Sequence, residues 1–97
     1  MMETQNIEWK EKWHDKYLEW ICGFANAEGG RLVIGRDDAG NVVGVRDVKK
    51  LLEDIPNKVR DAMGILVDVN VYEENGLEYI EIVVPPYPVG ISSKGIY

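Results

Sequence analysis

The sequence NAEGGRLVIGRDDAGNVVGV, residues 26–45, contains the turns and apolar runs that decide the fold. A pair of glycines at 29–30 precedes a short apolar run, and a pair of aspartates at 37–38 follows it. A second apolar run begins shortly afterwards, and Asp, Gly and Asn between two such runs are typical of a tight hairpin turn. The stretch therefore predicts the end of a helix, a strand over residues 31–36, a turn and a partner strand over residues 42–45.

Residues 15–27, which lead into the glycine pair, show the periodicity of an α-helix. One apolar stripe recurs at i, i+3, i+4 and i+7, and an aromatic stripe adjoins it. The first stripe is Leu18, Ile21, Cys22 and Ala25, and the second is Trp13, Tyr17, Trp20 and Phe24. So wide an apolar arc predicts a helix that is largely buried, aromatic stripe included. Asp15 is its expected N-cap, and the glycines are its expected end.

Alternation and turn residues predict the remaining elements. Residues 4–10 alternate weakly and indicate an edge strand, and residues 67–84 indicate two strands joined at Asn75-Gly76. Asp47 is expected to cap a second helix, with a kink or break at Pro56. The last four residues look like the start of one more strand. The order β-α-β-β-α-β-β predicts an α+β domain with a single sheet and two helices on one face.

The length and composition are those of one compact domain over residues 1–97. With 45% apolar residues, a chain of this size can bury one modest core. The single cysteine, Cys22, excludes an intrachain disulfide and a multi-cysteine zinc site, which fits a reducing cytoplasm. No run of about 18 apolar residues is present, so no membrane segment is expected.

The net charge of −6 is distributed unevenly. Residues 1–50 carry 8 Lys or Arg and 9 Asp or Glu, a net charge of −1, whereas residues 51–97 carry 3 and 8, a net charge of −5. Because nucleic-acid-binding proteins neutralise phosphates with basic surfaces, any such surface here must be local and lie in the N-terminal half. The candidates are Lys10, Lys12, Lys16, Arg31 and Arg36, with Trp9 beside them as a base-stacking residue.

The sequence lacks the motifs of common catalytic and nucleotide-binding sites. His14 is the only histidine and lies at a solvated helix entry, so a nucleophilic triad is not indicated. The phosphate-binding patterns GxxxxGKS/T and GxGxxG are absent, so the domain is not expected to hydrolyse ATP. The carboxylates Glu3, Glu8, Asp37 and Asp38 allow two interpretations. They are exposed or form the turn, or three of them bind Mg²⁺ or Mn²⁺.

Three segments, taken in order, resemble the Schlafen/AlbA-2 family. They are ETQNIEWK at 3–10, CGFANAEGG at 22–30 and LVIGRDDAGNVVGV at 32–45. The family's usual forms are E-x4-E-F-K, C-A-F-A-N-x-x-G-G and L-x-I-G-V-D-D-x-G-x-V-x-G-V. This sequence departs from them at Trp9, Gly23 and Arg36. The residues that match its structural positions are Asn26, Gly29, Gly30, Gly35, Gly40 and Gly44.

The resemblance implies an AlbA-like fold and a DNA-binding role. Family members serve as N-terminal modules of bacterial and archaeal transcriptional regulators and of ATP-dependent helicase-related proteins. This chain is accordingly expected to be an N-terminal fragment whose partners are DNA or RNA and its own C-terminal domains. The domain itself is expected to be non-catalytic and without a cofactor. It would contact nucleic acid through Trp9, Lys10, Lys12, Arg31 and Arg36.

Two alternatives remain open. In animal Schlafen proteins, two glutamates and an aspartate form a metal-dependent ribonuclease site. Position by position, these match Glu3, Glu8 and Asp38, with Asp37 as the fallback, and the metal would be Mg²⁺ or Mn²⁺. The other alternative is a protein-interaction or homodimerisation module, because the C-terminal half is acidic and the predicted hairpins expose strand edges.

Overall fold

The computed structural model describes residues 6–87, which form one mixed four-stranded sheet and two helices. In chain order the elements are β1 (Asn6–Lys10), a 3₁₀ turn (Asp15–Tyr17), α1 (Leu18–Asn26), β2 (Gly30–Ile34), α2 (Val48–Met63), β3 (Asp68–Glu74) and β4 (Leu77–Val84). The α+β class with a single sheet is confirmed. The expected strand at 94–97 lies outside the described residues. Neither helix of the described range has the length and apolarity needed to cross a membrane.

The sheet has the strand order β1-β2-β4-β3. β1 runs parallel to β2, with α1 as the crossover connection that a parallel pair requires. β4 pairs antiparallel with both β2 and β3. The β3–β4 hairpin turns at Asn75 and Gly76, which both have positive φ angles, as the predicted two-residue turn demands. β1 and β3 are therefore the two edge strands, and β2 and β4 are central.

Both helices pack on the same face of the sheet, as predicted. Alternate residues of the central strands point to this face, and they are Leu32, Ile34, Ile80, Ile82 and Val84. The predicted stripe of α1 is buried against them, together with Ile55, Val59 and Met63 of α2. The opposite face of the sheet, called here the helix-free face, carries the other alternate residues of each strand.

The residues predicted to form a strand at 42–45 make only one isolated bridge, between Arg36 and Val42. The reason lies in the sheet order. Because β2 pairs with β1 on one side and with β4 on the other, it has no free edge for a third strand. The chain instead closes a compact loop after β2, where the carbonyl of Gly35 accepts the backbone N–H groups of Val43 at 2.7 Å and Gly44 at 3.2 Å.

α2 runs without interruption although Pro56 lies inside it, so the predicted break is wrong. A proline in a helix interior removes one backbone hydrogen bond and crowds the preceding turn. The buried residues Ile55, Val59 and Met63 recur every four positions and hold both halves of the helix on the core. Tertiary packing thus outweighs the tendency of the proline to interrupt the helix.

Asp15 is not the N-cap that the sequence predicts. His14 flanks the 3₁₀ turn, and no side chain caps it. The Asp15 carboxylate accepts hydrogen bonds from Lys58 Nζ and Trp13 Nε1, each at 2.8 Å. These bonds hold the pKa of Asp15 below its ordinary value, and the bond from Lys58 has the largest effect. Asp15 therefore joins the start of α1 to α2.

The aromatic stripe of α1 is only partly buried. Phe24 is buried, and Trp13 and Tyr17 pack half-buried against the core, but Trp20 is 41% exposed. The prediction of a buried Trp20 is therefore wrong. The side of α1 near Trp20 faces the edge strand β1, whose residue Lys10 is polar and places its ammonium 5.8 Å from the indole ring.

Truncation of the core should be far more destabilising than truncation of the helix-free face. Ile82 is fully buried between β2 and β3, so Ile82→Ala should lower the free energy of unfolding by about 2–5 kcal/mol. Ile7 is 51% exposed, and Ile7→Ala should change the free energy of unfolding by no more than about 0.5 kcal/mol. Urea denaturation measures both. If Ile82→Ala does not fold, Ile82→Val, with an expected cost of about 0.5–1.5 kcal/mol, provides the comparison. Equal effects at the two positions would contradict the assigned core.

The loop after β2 should be sensitive to pH through Asp37. Its carboxylate accepts hydrogen bonds from the backbone N–H groups of Asn41 at 2.9 Å and Ala39 at 3.0 Å. These bonds lower the pKa of Asp37, and the bond from Asn41 has the largest effect. A lowered pKa in the folded state means that the ionised form stabilises the fold. This contribution is present above the ordinary aspartate pKa and is lost as the pH falls through the lowered value.

Asp37→Asn mimics the protonated acid and should lower the urea midpoint at pH 7. The difference from the wild type should shrink steadily as denaturation is repeated at acid pH. Asp38→Asn, at the exposed neighbouring position, is the matched control and should show no such trend. A difference at Asp37 that grows on acidification would contradict the assigned sign.

Candidate nucleic-acid interface

A groove of about 690 Å³ lies at the end of the sheet where β1 and β2 stop. It is lined by residues 11–13 after β1, residues 43–47 of the loop, and one face of α2 from Lys50 to Lys58. Trp13 and Leu51 are among its apolar lining residues. Its charged lining consists of the cations Lys12, Arg46, Lys50 and Lys58 and the carboxylates Glu11, Asp47 and Asp54. The groove thus has a net charge of +1 in a chain whose net charge is −6.

The cations that lack an ion pair are concentrated at this groove. Over residues 6–87, five cations have a carboxylate oxygen within 4.0 Å, and they are Lys10, Arg31, Arg36, Lys58 and Arg60. The other five in that range are Lys12, Lys16, Arg46, Lys49 and Lys50. Three of these, Lys12, Arg46 and Lys50, line the groove. They are available to an anion without breaking an existing pair.

The N-terminus of α2 adds to the positive potential of the groove. The first N–H groups of a helix have no intrahelical partner, and the helix dipole is positive at this end. Asp47, at the N-cap, has a left-handed φ of 54° and makes no side-chain capping bond. The first turn contains no acidic residue and includes Lys50, the third residue of the helix. These groups therefore favour an anion near Lys50 and Arg46.

The predicted basic residues are not gathered in one place. Of the set Lys10, Lys12, Arg31 and Arg36, only Lys12 lines the groove. Lys10 points to the helix side of β1, where its ammonium lies 3.3 Å from Glu8 and 5.1 Å from the ring centroid of Tyr17. Its contacts are therefore already made within the chain.

Arg31 and Arg36 are also engaged. Arg31, on the helix-free face, pairs with Glu81 at 2.9 Å. Arg36 lies 4.4 Å above the ring of Tyr79, pairs with Glu74 at 3.4 Å and donates a hydrogen bond to the carbonyl of Gly40. Arg36 thus holds the loop after β2 against the β3–β4 hairpin, and its replacement would disturb the loop before any ligand.

Trp9 lies on the helix-free face, in register with Val33, and is 37% exposed. The end of its indole ring rests on Gly40, whose φ is 88°. A Cβ at Gly40 would lie 3.0 Å from the ring, so glycine permits this contact. β1 and the loop after β2 are therefore in direct contact, and the ring of Trp9 is supported from one side.

The structural motif residues surround the turns that shape the site. Asn26, the last residue of α1, donates to Cys22 Sγ at 3.6 Å. Gly29 and Gly30 connect α1 to β2, and a Cβ on Gly30 would lie only 2.6 Å from the Phe24 ring. Gly35 and Gly44 lie at either end of the loop that forms one wall of the groove.

The candidate metal ligands do not form a cluster within the described part of the chain. Glu8 pairs with Lys10, Asp37 closes the loop, Asp38 is exposed, and Glu3 lies outside residues 6–87. In that range no three His, Cys, Asp or Glu side chains are placed to hold a metal ion. The ribonuclease site at Glu3, Glu8 and Asp38 therefore stays a prediction.

Sequence reasoning missed Arg46, Lys50 and Lys58. A usable signal was present, because residues 50, 54 and 58 recur at i, i+4 and i+8 and so share one face of α2. The spacing could not predict that Lys12 lines the same groove, because Lys12 approaches α2 only in the tertiary structure.

The comparisons with known proteins agree with this architecture. The model of the family described as "Schlafen, AlbA_2" matches residues 3–94. No curated protein matches the sequence. Among solved structures, the chain is similar to the N-terminal domain of a protein from Nitrosomonas europaea described as related to the ATP-dependent DNA helicase RecG. The TM-score is 0.79 at 22% identity, with 100% of this chain and 75% of that chain covered.

A second solved structure shares the fold. It is the DIP2311 protein from Corynebacterium diphtheriae, with a TM-score of 0.73 and 21% identity. The alignment covers 94% of this chain and 20% of that one, so this chain corresponds to one fifth of the larger protein. The family match over nearly the whole sequence, on the fold described above, shows that the chain belongs to the Schlafen AlbA_2 family.

Proposed function

We propose that this domain is a nucleic-acid-binding module, of the kind found in transcriptional regulators and helicase-related proteins, and that the groove beside α2 receives the phosphate backbone. The observation that carries the proposal is the gathering of three unpaired cations, Lys12, Arg46 and Lys50, in one groove of an acidic chain. Lys and Arg that are free of carboxylate partners gain most from phosphate, because binding releases the counterions of the nucleic acid without breaking an ion pair.

Family membership and the structural neighbour support the same class of function. The chain belongs to the AlbA_2 family, and a RecG-related protein carries a domain of the same fold at its N-terminus. A binding module joined to a separate catalytic region would direct that region to its substrate. The acidic surface of β3 and β4 would repel phosphate and restrict contact to the N-terminal half.

Charge reversal at the groove should weaken binding, and reversal beside it should not. Lys50 lines the groove, whereas the adjacent Lys49 does not and is equally unpaired, so the two form a matched pair. In fluorescence anisotropy titrations with a labelled oligonucleotide at several salt concentrations, Lys50→Glu should reduce the slope of log K against log salt by about one. Lys49→Glu should leave the slope nearly unchanged. Equal slopes for wild type and Lys50→Glu would contradict the proposal that the groove binds phosphate.

Neutralising an acid in the same groove should have the opposite sign. Asp54 lies between Lys50 and Lys58 on α2 and would repel a bound phosphate. Asp54→Asn should therefore tighten binding in the same titration, while Glu53→Gln, at the adjacent position outside the groove, should not. Weaker binding by Asp54→Asn, with the fold intact by circular dichroism, would show that phosphate does not lie there.

A further inference from the structure

We infer that the ligand is a single strand, and that Trp9 stacks on an unpaired base while the groove binds the neighbouring phosphates. This inference rests on the proposed function and adds the strandedness of the nucleic acid to it. It comes from a feature that phosphate binding does not use, the exposed indole on the helix-free face of β1.

The surroundings of Trp9 suit an unpaired base. The indole is 37% exposed and is in contact at one end with Gly40. Ile7, two residues earlier on the same strand and face, is 51% exposed and extends the apolar surface. The bases of a duplex already stack on one another, so an exposed indole gains contact only with a base that is unpaired.

The charges on the helix-free face restrict where a strand can run. The β3–β4 half carries the carboxylates of Asp68, Glu74 and Glu81, of which Glu74 pairs with Arg36 and Glu81 with Arg31. The alternate residues of β1 and β2 on this face include no acid. A phosphate backbone would therefore be repelled by Asp68 on the edge strand β3 and tolerated over β1.

Trp9 and the groove are close enough to contact one strand. Trp9 and Lys12 are three residues apart, so their Cα atoms are separated by at most about 11 Å. The loop that supports Trp9 at Gly40 continues directly into the groove wall at residues 43–47. A strand with a base on Trp9 would pass around the end of β1, from the helix-free face to the groove, to place a phosphate at Lys12.

The test compares a single-stranded oligonucleotide that cannot pair with itself and the blunt-ended duplex that it forms with its complement, as DNA and as RNA, by fluorescence anisotropy at low salt. Wild type should bind the single strand more tightly than the duplex. Trp9→Ala should weaken single-strand binding roughly 5- to 150-fold and leave duplex binding unchanged. Trp9→Phe should retain most of the affinity. Trp20→Ala is the matched control, since Trp20 is similarly exposed at 41% but lies on α1.

Trp9→Leu separates the loss of stacking from the loss of the packing contact with Gly40. Leucine fills part of the same space without an aromatic face, so Trp9→Leu should weaken single-strand binding as much as Trp9→Ala does.

Three results would exclude stacking on Trp9. They are equal losses of affinity for both ligands in Trp9→Ala, no loss for either ligand, and equal binding of the two ligands by wild type. Self-association of wild type that Trp9→Ala abolishes, measured by sedimentation, would assign this face to a second copy instead. Unchanged binding by Lys50→Glu would refute the groove alone, because the single-strand preference is read from Trp9.

Discussion

The central position of β2 is the constraint on which the rest of the structure depends. Its two edges are fully used, one by β1 in parallel and the other by β4 in antiparallel. Its residues Leu32 and Ile34 are fully buried beneath the helices, so neither edge nor that face is available for other contacts. The segment that directly follows β2, residues 35–47, must therefore leave the sheet at the end of β2, which is where the groove lies.

The loop after β2 is the direct consequence of that exclusion. Unable to pair as a strand, residues 36–44 fold on themselves through Gly35 and Asp37, and Arg36 fixes them to Tyr79 and Glu74. The same loop touches Trp9 on one side and forms a groove wall on the other. The acidic pair at 37–38 thus has one residue with a clear structural role in the turn and one that is exposed.

The distribution of ion pairs separates structural cations from those available to a ligand. Arg31 and Arg36 hold the sheet and loop together, and Lys10 is enclosed by Glu8, Tyr17 and Trp20. Lys12, Arg46 and Lys50 at the groove make no ion pair within residues 6–87, which makes the groove a better phosphate site than the set of residues chosen from the sequence. A chain with a net charge of −6 can thus present a local surface suited to nucleic acid.

The sequence by itself determined the elements that rest on local physics. Apolar periodicity gave α1 and its buried stripe, the Asn75-Gly76 pair gave the second hairpin, and alternating valines and isoleucines gave β3 and β4 with one buried face. The order of the predicted elements was sufficient for the α+β class. These features depend on residues near one another in the chain, so spacing and turn chemistry are sufficient to predict them.

The tertiary structure alone decided the features that depend on which segments meet. Pairing of both edges of β2 removed the strand expected at 42–45, and burial of one face of α2 kept the helix intact through Pro56. The position of α1 beside the polar edge strand left Trp20 exposed. The approach of Lys12 to Arg46 and Lys50 created the groove. Each of these results from contacts between distant residues, whose burial and charge no local spacing encodes.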